Sequence, residues 1–576
     1  MCSDRWVHDG LLYGNQSKTI IRTVEELVEQ PLGVLGSWIT APADLYPDGV
    51  VNYKPVTDAI VDKLTVKCRA LNGVIGYLPK QVALLALRTC CLPILQHVIR
   101  TTPEEATLPA CRQFDGWVEN RLLSLARLAG NTEYGKNIAH LPLREGGLGL
   151  LSQEIIAPFA YGSSYVTSWR IILANAPALA RDKRRYSGLA RDISGMLYEQ
   201  AVSALAPACL DSVASLLGLE LADDLWDPVK FPSTKQMQHR VTKAWGYHGF
   251  AYTFFHPETS LNLQHRMLDW GNQLGRAWMY RLPHLPTDWL SDLHVSLALA
   301  HRLGCNFNPT DLEFCPKHPE VPFTVEHGLA CNRVEVQALR SKRHTDAKYT
   351  ICRHARRALD THPDGAVHME ARLSDPERPN RQLAMDLVLV GLDPAQVIWA
   401  DVSFAAPLQS CRSPHGTPMS RDVADALVAE RSERRASAPN RAAHANAVTS
   451  NPLRLVAIDH IVKPAIRARH KEKLRYYTSA VRATTTHNPR FTAPRLVPLV
   501  FSAGGTPSPD STKILKMIID KSFAKQAENI AGNSDPDLSH INNAHDKARV
   551  SNSLYYDISI RLVRNLGEII LTSLMV

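Results

Sequence analysis

Two aspartates and a short array of cysteine and histidine carry the chemistry legible in this sequence. Asp386 lies inside Ala384-Met-Asp-Leu-Val-Leu-Val390, and Asp401 inside Val397-Ile-Trp-Ala-Asp-Val-Ser-Phe404. Both runs are apolar and β-branched, as strands are, and an idle charge among such residues is costly. Either aspartate alone reads as a turn or strand-edge carboxylate, since Asp393-Pro394 marks a turn between the runs. As a pair on successive strands they can approach closely and offer hard oxygen donors to Mg²⁺. Upstream, Cys315, His318, His327 and Cys331 form a C-x2-H-x8-H-x3-C array. Such donors suit one tetrahedral Zn²⁺, filled by protein alone and therefore structural. Chance spacing among 11 cysteines and 23 histidines is the competing reading, and Cys305 is the reserve ligand.

A basic segment follows the array. Arg333, Lys342, Arg343 and His344 are placed by it to meet nucleic-acid phosphates, contacts that position a strand without reading its sequence. Further on, helical spacing puts Arg469, Lys473 and Tyr477 on one stripe. By composition Lys473 is a solvated lysine, and its partner Tyr477 is what raises it above that.

The elements that must position these groups follow from periodicity. The chain has 576 residues, enough for about three to five domains. Its composition is 45% hydrophobic and 21% charged, ordinary for folded domains. A net charge of +9 favours a polyanionic partner without establishing one. The scattered cysteines, with an adjacent Cys90-Cys91, point to a reducing compartment. Charges in the first ten residues argue against a secretory signal, and no uninterrupted apolar run reaches membrane-spanning length, so no membrane partner is expected. Apolar residues from Val56 to Leu71 predict an amphipathic helix, and Lys80–Thr101 a buried helix kinked at Pro93. Residues 164–300 read as helical. Aromatic and basic residues interleave there, in His239–His248, Arg266–Trp270 and Arg276–Arg281. They can clamp nucleic acid, but a helix core with a solvated basic face gives the same letters and is the preferred reading. Residues 408–452 are polar, an insert or solvated helix; an amphipathic helix is expected from Ile514 to Lys525 and an apolar one at the end.

This order of parts resembles the C-terminal half of non-LTR retrotransposon polyproteins, which carry a restriction-like endonuclease of the PD-(D/E)xK type. The resemblance rests on the Cys/His array, the Arg/His-rich residues, Glu370, Asp386, Asp401-Val-Ser-Phe-Ala-Ala-Pro407, the Lys-Tyr helix and Val497-Pro-Leu-Val-Phe501. It extends upstream through Leu92-Pro93, Phe114-Asp115 and Leu141-Pro-Leu-Arg-Glu-Gly-Gly-Leu-Gly-Leu150, similar to the region following a reverse transcriptase palm. Two positions depart from the family: Met385 stands where Pro is usual, and His318 where Cys is. The resemblance implies that Asp386 and Asp401 hold Mg²⁺, that Glu370 helps orient it from a preceding helix, and that Lys473, with Lys471 as rival, stabilises the transition state. The partners implied are DNA and element RNA, and the compartment the nucleus. The only Ala-Asp-Asp, Ala222-Asp223-Asp224, follows the thumb-like region, so no reverse transcriptase activity is expected.

The expected fold is α+β and multidomain. A mostly helical N-terminal half is followed by a small zinc-stabilised segment, then by a small mixed β-sheet flanked by helices, restriction-endonuclease-like on the resemblance. The expected divisions are 1–163 (thumb-like, without the palm), 164–300 (helical), 301–335 (zinc cluster), 336–505 (nuclease, insert 408–452) and 506–576 (helical tail). Three functions compete: a Mg²⁺-dependent DNA-nicking endonuclease, an inactive nucleic-acid-binding remnant, and a helical interaction scaffold with a structural zinc.

Overall fold

The structure is a computed structural model that describes residues 51–128, 133–158, 237–305, 333–360, 365–373, 383–405, 418–436, 451–487, 494–531 and 543–574, with shorter pieces at 26–29, 32–34 and 37–39 and parts of 160–164 and 314–331. The chain forms two compact units: Met1–Val74, Leu92–Trp117 and Ser152–Thr242 in the first, and Ile75–Cys91, Val118–Leu151 and Lys243–Val576 in the second. The divisions expected at 300, 335 and 505 all fall inside the second unit. Ala222-Asp223-Asp224 lies outside the described residues.

In the first unit a short hairpin pairs β1 (Leu32–Val34) with β2 (Ser37–Ile39). Helix α1 (Lys54–Ile75) buries Val56, Ile60, Leu64 and Cys68, each one turn from the last, which is the stripe its period predicts. The Asp115 carboxylate accepts hydrogen bonds from Ser152 Oγ and the backbone N–H groups of Gln153 and Glu154, so Phe114-Asp115 serves local folding.

The stretch Lys80–Thr101 is broken as its Pro93 predicts. Helix α2 (Lys80–Ala86) passes into a π turn at Leu87–Cys91 and a 3-10 turn at Leu92–Ile94 that contains the proline. Among the described residues this is the one helical stretch long and apolar enough to cross a membrane by length and composition. Within the second unit Lys80 Nζ donates to the Leu125 carbonyl and to Ser296 Oγ, each at 2.7 Å, and Leu84 and Leu87 are fully buried. Those are the contacts of a helix packed in protein.

The second unit is mostly helical around one four-stranded mixed sheet. Its strands β5 (Ala366–Leu373), β6 (Leu383–Val390), β7 (Ile398–Phe404) and β8 (Arg495–Phe501) lie in that order, with a two-stranded pair, β3 (Phe314–Cys315) and β4 (His318–Pro322), earlier in the chain. The β5–β6 and β6–β7 pairs are antiparallel and β7–β8 is parallel, with Asp401 opposite Pro498. Proline is tolerated there because β8 is the edge strand. The expected turn after β6 is present: Gly391 takes a φ of 79°, and Asp393 Oδ1 accepts from the Ala395 N–H.

Helices cover both faces of the sheet. On one face α7 (Val334–Leu359), α10 (Pro509–Ala531) and α11 (Asn543–Leu574) bury Ile351, Ala355, Ile514, Ile518 and Ile558 against Leu387, Leu389, Val402 and Leu499. Each large aliphatic side chain so buried contributes about 1.5–3 kcal/mol. On the other face α9 (Lys463–His487) lays Tyr477 and Ala480 against Leu383, Met385 and Val388. Helix α8 (Arg421–Ala436) occupies part of the polar insert. Of the aromatics between α4 (Met237–Phe254) and α6 (Asp292–Arg302), Trp245, Tyr247, Trp270 and Trp278 are buried. The interleaved segments are therefore mainly helix core, and Tyr280 is their exposed member.

Candidate functional site

Packing assignments place a reversal in the β5–β6 hairpin at the two carboxylates. Leu383 and Met385 pack with the α9 cluster, whereas Leu387 and Leu389 pack with the α7 cluster, so β6 exchanges faces at Asp386. In β5, Val367 and Met369 pack with the α7 cluster and Ala371 with the other, so that strand exchanges faces at Glu370. The pairing on either side is continuous, Met369 with Leu387 and Ala371 with Met385, which sets Glu370 across from Asp386 at the reversal. Glu370 carries it in its backbone, with a φ of 54°. The expectation that Glu370 comes from a helix is corrected: Val367, Met369, Ala371 and Leu373 alternate with His368, Glu370 and Arg372, a period of two that builds strand β5.

Asp386 and Asp401 stand on neighbouring strands. The β6–β7 pairing ends at Leu387 with Ala400, and beyond it Asp386 Oδ2 accepts from the Val402 N–H at 2.8 Å. The side chain thus replaces the missing backbone acceptor and brings its carboxylate beside Asp401. On its other side Asp386 Oδ2 lies 2.9 Å from His344 Nε2, and Oδ1 lies 3.7 Å from Lys348 Nζ. Lys348, almost wholly buried, also donates to Glu370 Oε1 at 2.7 Å.

Asp401 is buried and held from α9. Its Oδ1 accepts from Tyr477 OH at 2.7 Å, and Lys473 Nζ lies 3.0 Å from Oδ2, the one partner of that buried oxygen among the described residues. Burial pushes the Asp401 carboxyl above the ordinary carboxylate range; the Lys473 charge pulls it back, and the Asp386 charge raises it again. The Tyr477 hydroxyl is likewise raised, by burial and then by Asp401. Lys471 is exposed on the helix, so Lys473 is the lysine at the carboxylate. Met385, at the position before Asp386, is fully buried under α9 and holds that part of β6 to the helix.

A groove of about 980 Å³ opens where β7 ends between α7 and α9, lined by Arg343, His344, Ser403, Arg469, Lys473 and neighbours. Of the four basic residues expected to meet phosphates, His344 instead binds Asp386, Lys342 is paired with Glu568 at 2.7 Å, and Arg333 is buried and donates to the Thr572 carbonyl. Arg343 is buried too and reaches the groove with its guanidinium 4.3 Å from the Phe404 ring centre. Arg333 and Arg343 are thus packed inside, whereas Lys342 stays exposed in its ion pair. Sequence reading missed Lys348, although it lies one helical turn from His344 and so on the same face.

His318, His327 and Cys331 bring their ligand atoms within 4.8 Å of one another and could hold a metal ion. His327 and Cys331 are buried, and the two histidine rings meet edge to face. The backbone of Cys315 pairs with His318 across β3 and β4, while its side chain lies outside the described residues. Cys305 is not a member of this group. Among the described residues no other three such ligands converge as closely, so Glu370, Asp386 and Asp401 do not form a comparable cage. Arg340 donates to the Cys331 carbonyl, and both Arg340 and Leu329 line the groove, so the cluster adjoins its wall. No protein-family model matches this chain, and no curated protein matches it.

Proposed function

We propose that this chain is a retrotransposon-derived, Mg²⁺-dependent DNA endonuclease whose sheet and flanking helices form a restriction-endonuclease-like domain. The observation that carries the reading is the Asp401–Lys473–Tyr477 arrangement beside Asp386, whose neighbours Lys473 and His344 line a groove. Hard carboxylate oxygens, one of them buried with a single ammonium as partner, fit a divalent cation. Asp386 and Asp401 would hold Mg²⁺, which when bound supplies an activated water and neutralises charge on the phosphate.

The protein's own groups supply the rest. Tyr477 fixes the Asp401 carboxylate, while Lys473, beside it and lining the groove, neutralises charge building on a phosphate oxygen. Lys348 holds Glu370 and Asp386 together, and His344 orients Asp386. Lys473, the edge of Arg343 and Arg469, which is paired at 2.6 Å with Glu472 of the same wall, are the cationic groups that would meet DNA, or element RNA, in the groove. His318, His327 and Cys331, with Cys315, would hold a structural Zn²⁺ that shapes the segment beside the groove. Action on chromosomal DNA places the protein in the nucleus. One observation favours a second reading, an inactive nucleic-acid-binding remnant: each acidic group already has a lysine neighbour. Supercoiled plasmid incubated with Mg²⁺ separates them. The nuclease converts it to open circles and Asp386→Ala or Asp401→Ala does not; equal open-circle yields from all three proteins would sink the proposal.

A further inference from the structure

Helix α7 has a second basic concavity on the side away from the groove. A pocket of about 440 Å³ is lined by Tyr349, Arg353, Arg356, Arg357 and Arg561, with Met369 and one acidic group, Asp346, also in its wall. Among the described residues, Arg353 is the one of these arginines in an ion pair, with Asp557 at 2.7 Å. Among the described residues no carboxylate is bonded to the Arg356, Arg357 or Arg561 side chains, and Asp346 Oδ2 accepts instead from Asn565. Like charges gathered without counter-ions cost stability, so such a cluster is a standing attraction for an anion. Guanidinium forks match phosphate oxygens in geometry.

An aromatic wall completes it. Tyr349 is 55% exposed, enough for a base to lie on its ring. Lys348 Nζ lies 5.9 Å from that ring and 2.7 Å from Glu370, and Met369 of the pocket precedes Glu370 in β5. The pocket therefore adjoins the carboxylate cluster through one side chain. Its volume admits about one or two nucleotides and not a duplex, and phosphate charge with base stacking is the chemistry by which single strands are held.

We propose that this pocket binds single-stranded nucleic acid, its arginines on the backbone and Tyr349 against a base. This needs no hydrolysis and stands apart from the cleavage reading. The test is fluorescence anisotropy of a labelled mixed-sequence 12-mer, single-stranded or as duplex, with the full chain and no added Mg²⁺. For Arg356→Gln with Arg357→Gln, single-strand affinity falls at least tenfold, and the slope of log affinity against log salt loses about 1–1.5 units, near 0.7 per lost phosphate contact. Tyr349→Ala weakens single-strand binding about fivefold or more, as loss of one stacked base does, and Tyr349→Phe restores it. Duplex affinity changes less than threefold in each. Unchanged single-strand affinity in the arginine variant overturns the proposal, as does an equal loss for duplex. If the arginine variant does not fold, the contrast between Tyr349→Ala and Tyr349→Phe decides alone. Nicking of plasmid is measured separately, so either reading can fail without the other.

Discussion

Glu370 adopts a backbone conformation that a side chain resists. A non-glycine residue at its φ of 54° carries about 1–2 kcal/mol of strain. Glu370→Gly and Glu370→Ala both remove the carboxylate that Lys348 holds, and they differ in whether the strain stays. The glycine variant is expected to be about 1 kcal/mol the more stable in chemical denaturation; equal stabilities would show the strand is not reversed there. Asp401 gives a second residue-scale prediction, from its raised carboxyl. Between the ordinary aspartate range and the raised folded value the native state binds more protons than the unfolded chain, so stability falls as pH rises through that window and is flat above it. Without divalent cation, Asp401→Asn should gain on the wild type over that window; a wild type that gains on the variant would contradict the burial argument. The two aspartates were legible because charge inside a β-branched run is rare. Glu370's strand was legible too, in an alternation that the family resemblance overrode. Lys348 was not, because nothing local distinguishes a lysine that turns inward from one that faces water.

At the scale of elements, α9 and the Cys/His segment shape the groove. The stripe of Arg469, Lys473 and Tyr477 followed from spacing alone, but its destination beside Asp401 depends on the packing of Ala480 under Leu383 and Met385. Ala480 is fully buried, so Ala480→Leu should cost about 1–3 kcal/mol by overpacking and lift Lys473 from Asp401. A thermal midpoint unchanged in that variant would mean the helix is loosely seated. The basic letters at the start of α7 were read as phosphate contacts because sequence gives charge and not direction; Arg343 is instead enclosed with Phe404. The Cys/His array was legible from spacing, and His318, His327 and Cys331 do converge. Cys331→Ser should lower bound metal, read by elemental analysis, together with the thermal midpoint. Full metal content in that variant would remove Cys331 from the ligand set.

Across the whole molecule, the proposed function requires the net charge of +9 and the groove to take a phosphate backbone, beside two carboxylates whose neighbours His344 and Lys473 line that groove. The helical character and the small mixed sheet could be read from period and run length. The two-unit arrangement could not, since Ile75–Cys91 and Val118–Leu151 join the second unit from within segments that read as the first. The proposed cleavage requires Lys473 to act on the phosphate rather than merely to pair with Asp401. The most direct measurement is the plasmid-nicking rate of Lys473→Met in Mg²⁺, alongside its duplex affinity in Ca²⁺. The rate should fall about 10²–10³-fold, as when one preorganised charge stabiliser is lost, while duplex affinity moves less than threefold. A variant that nicks at the wild-type rate, or a wild type that does not nick at all, would contradict the account.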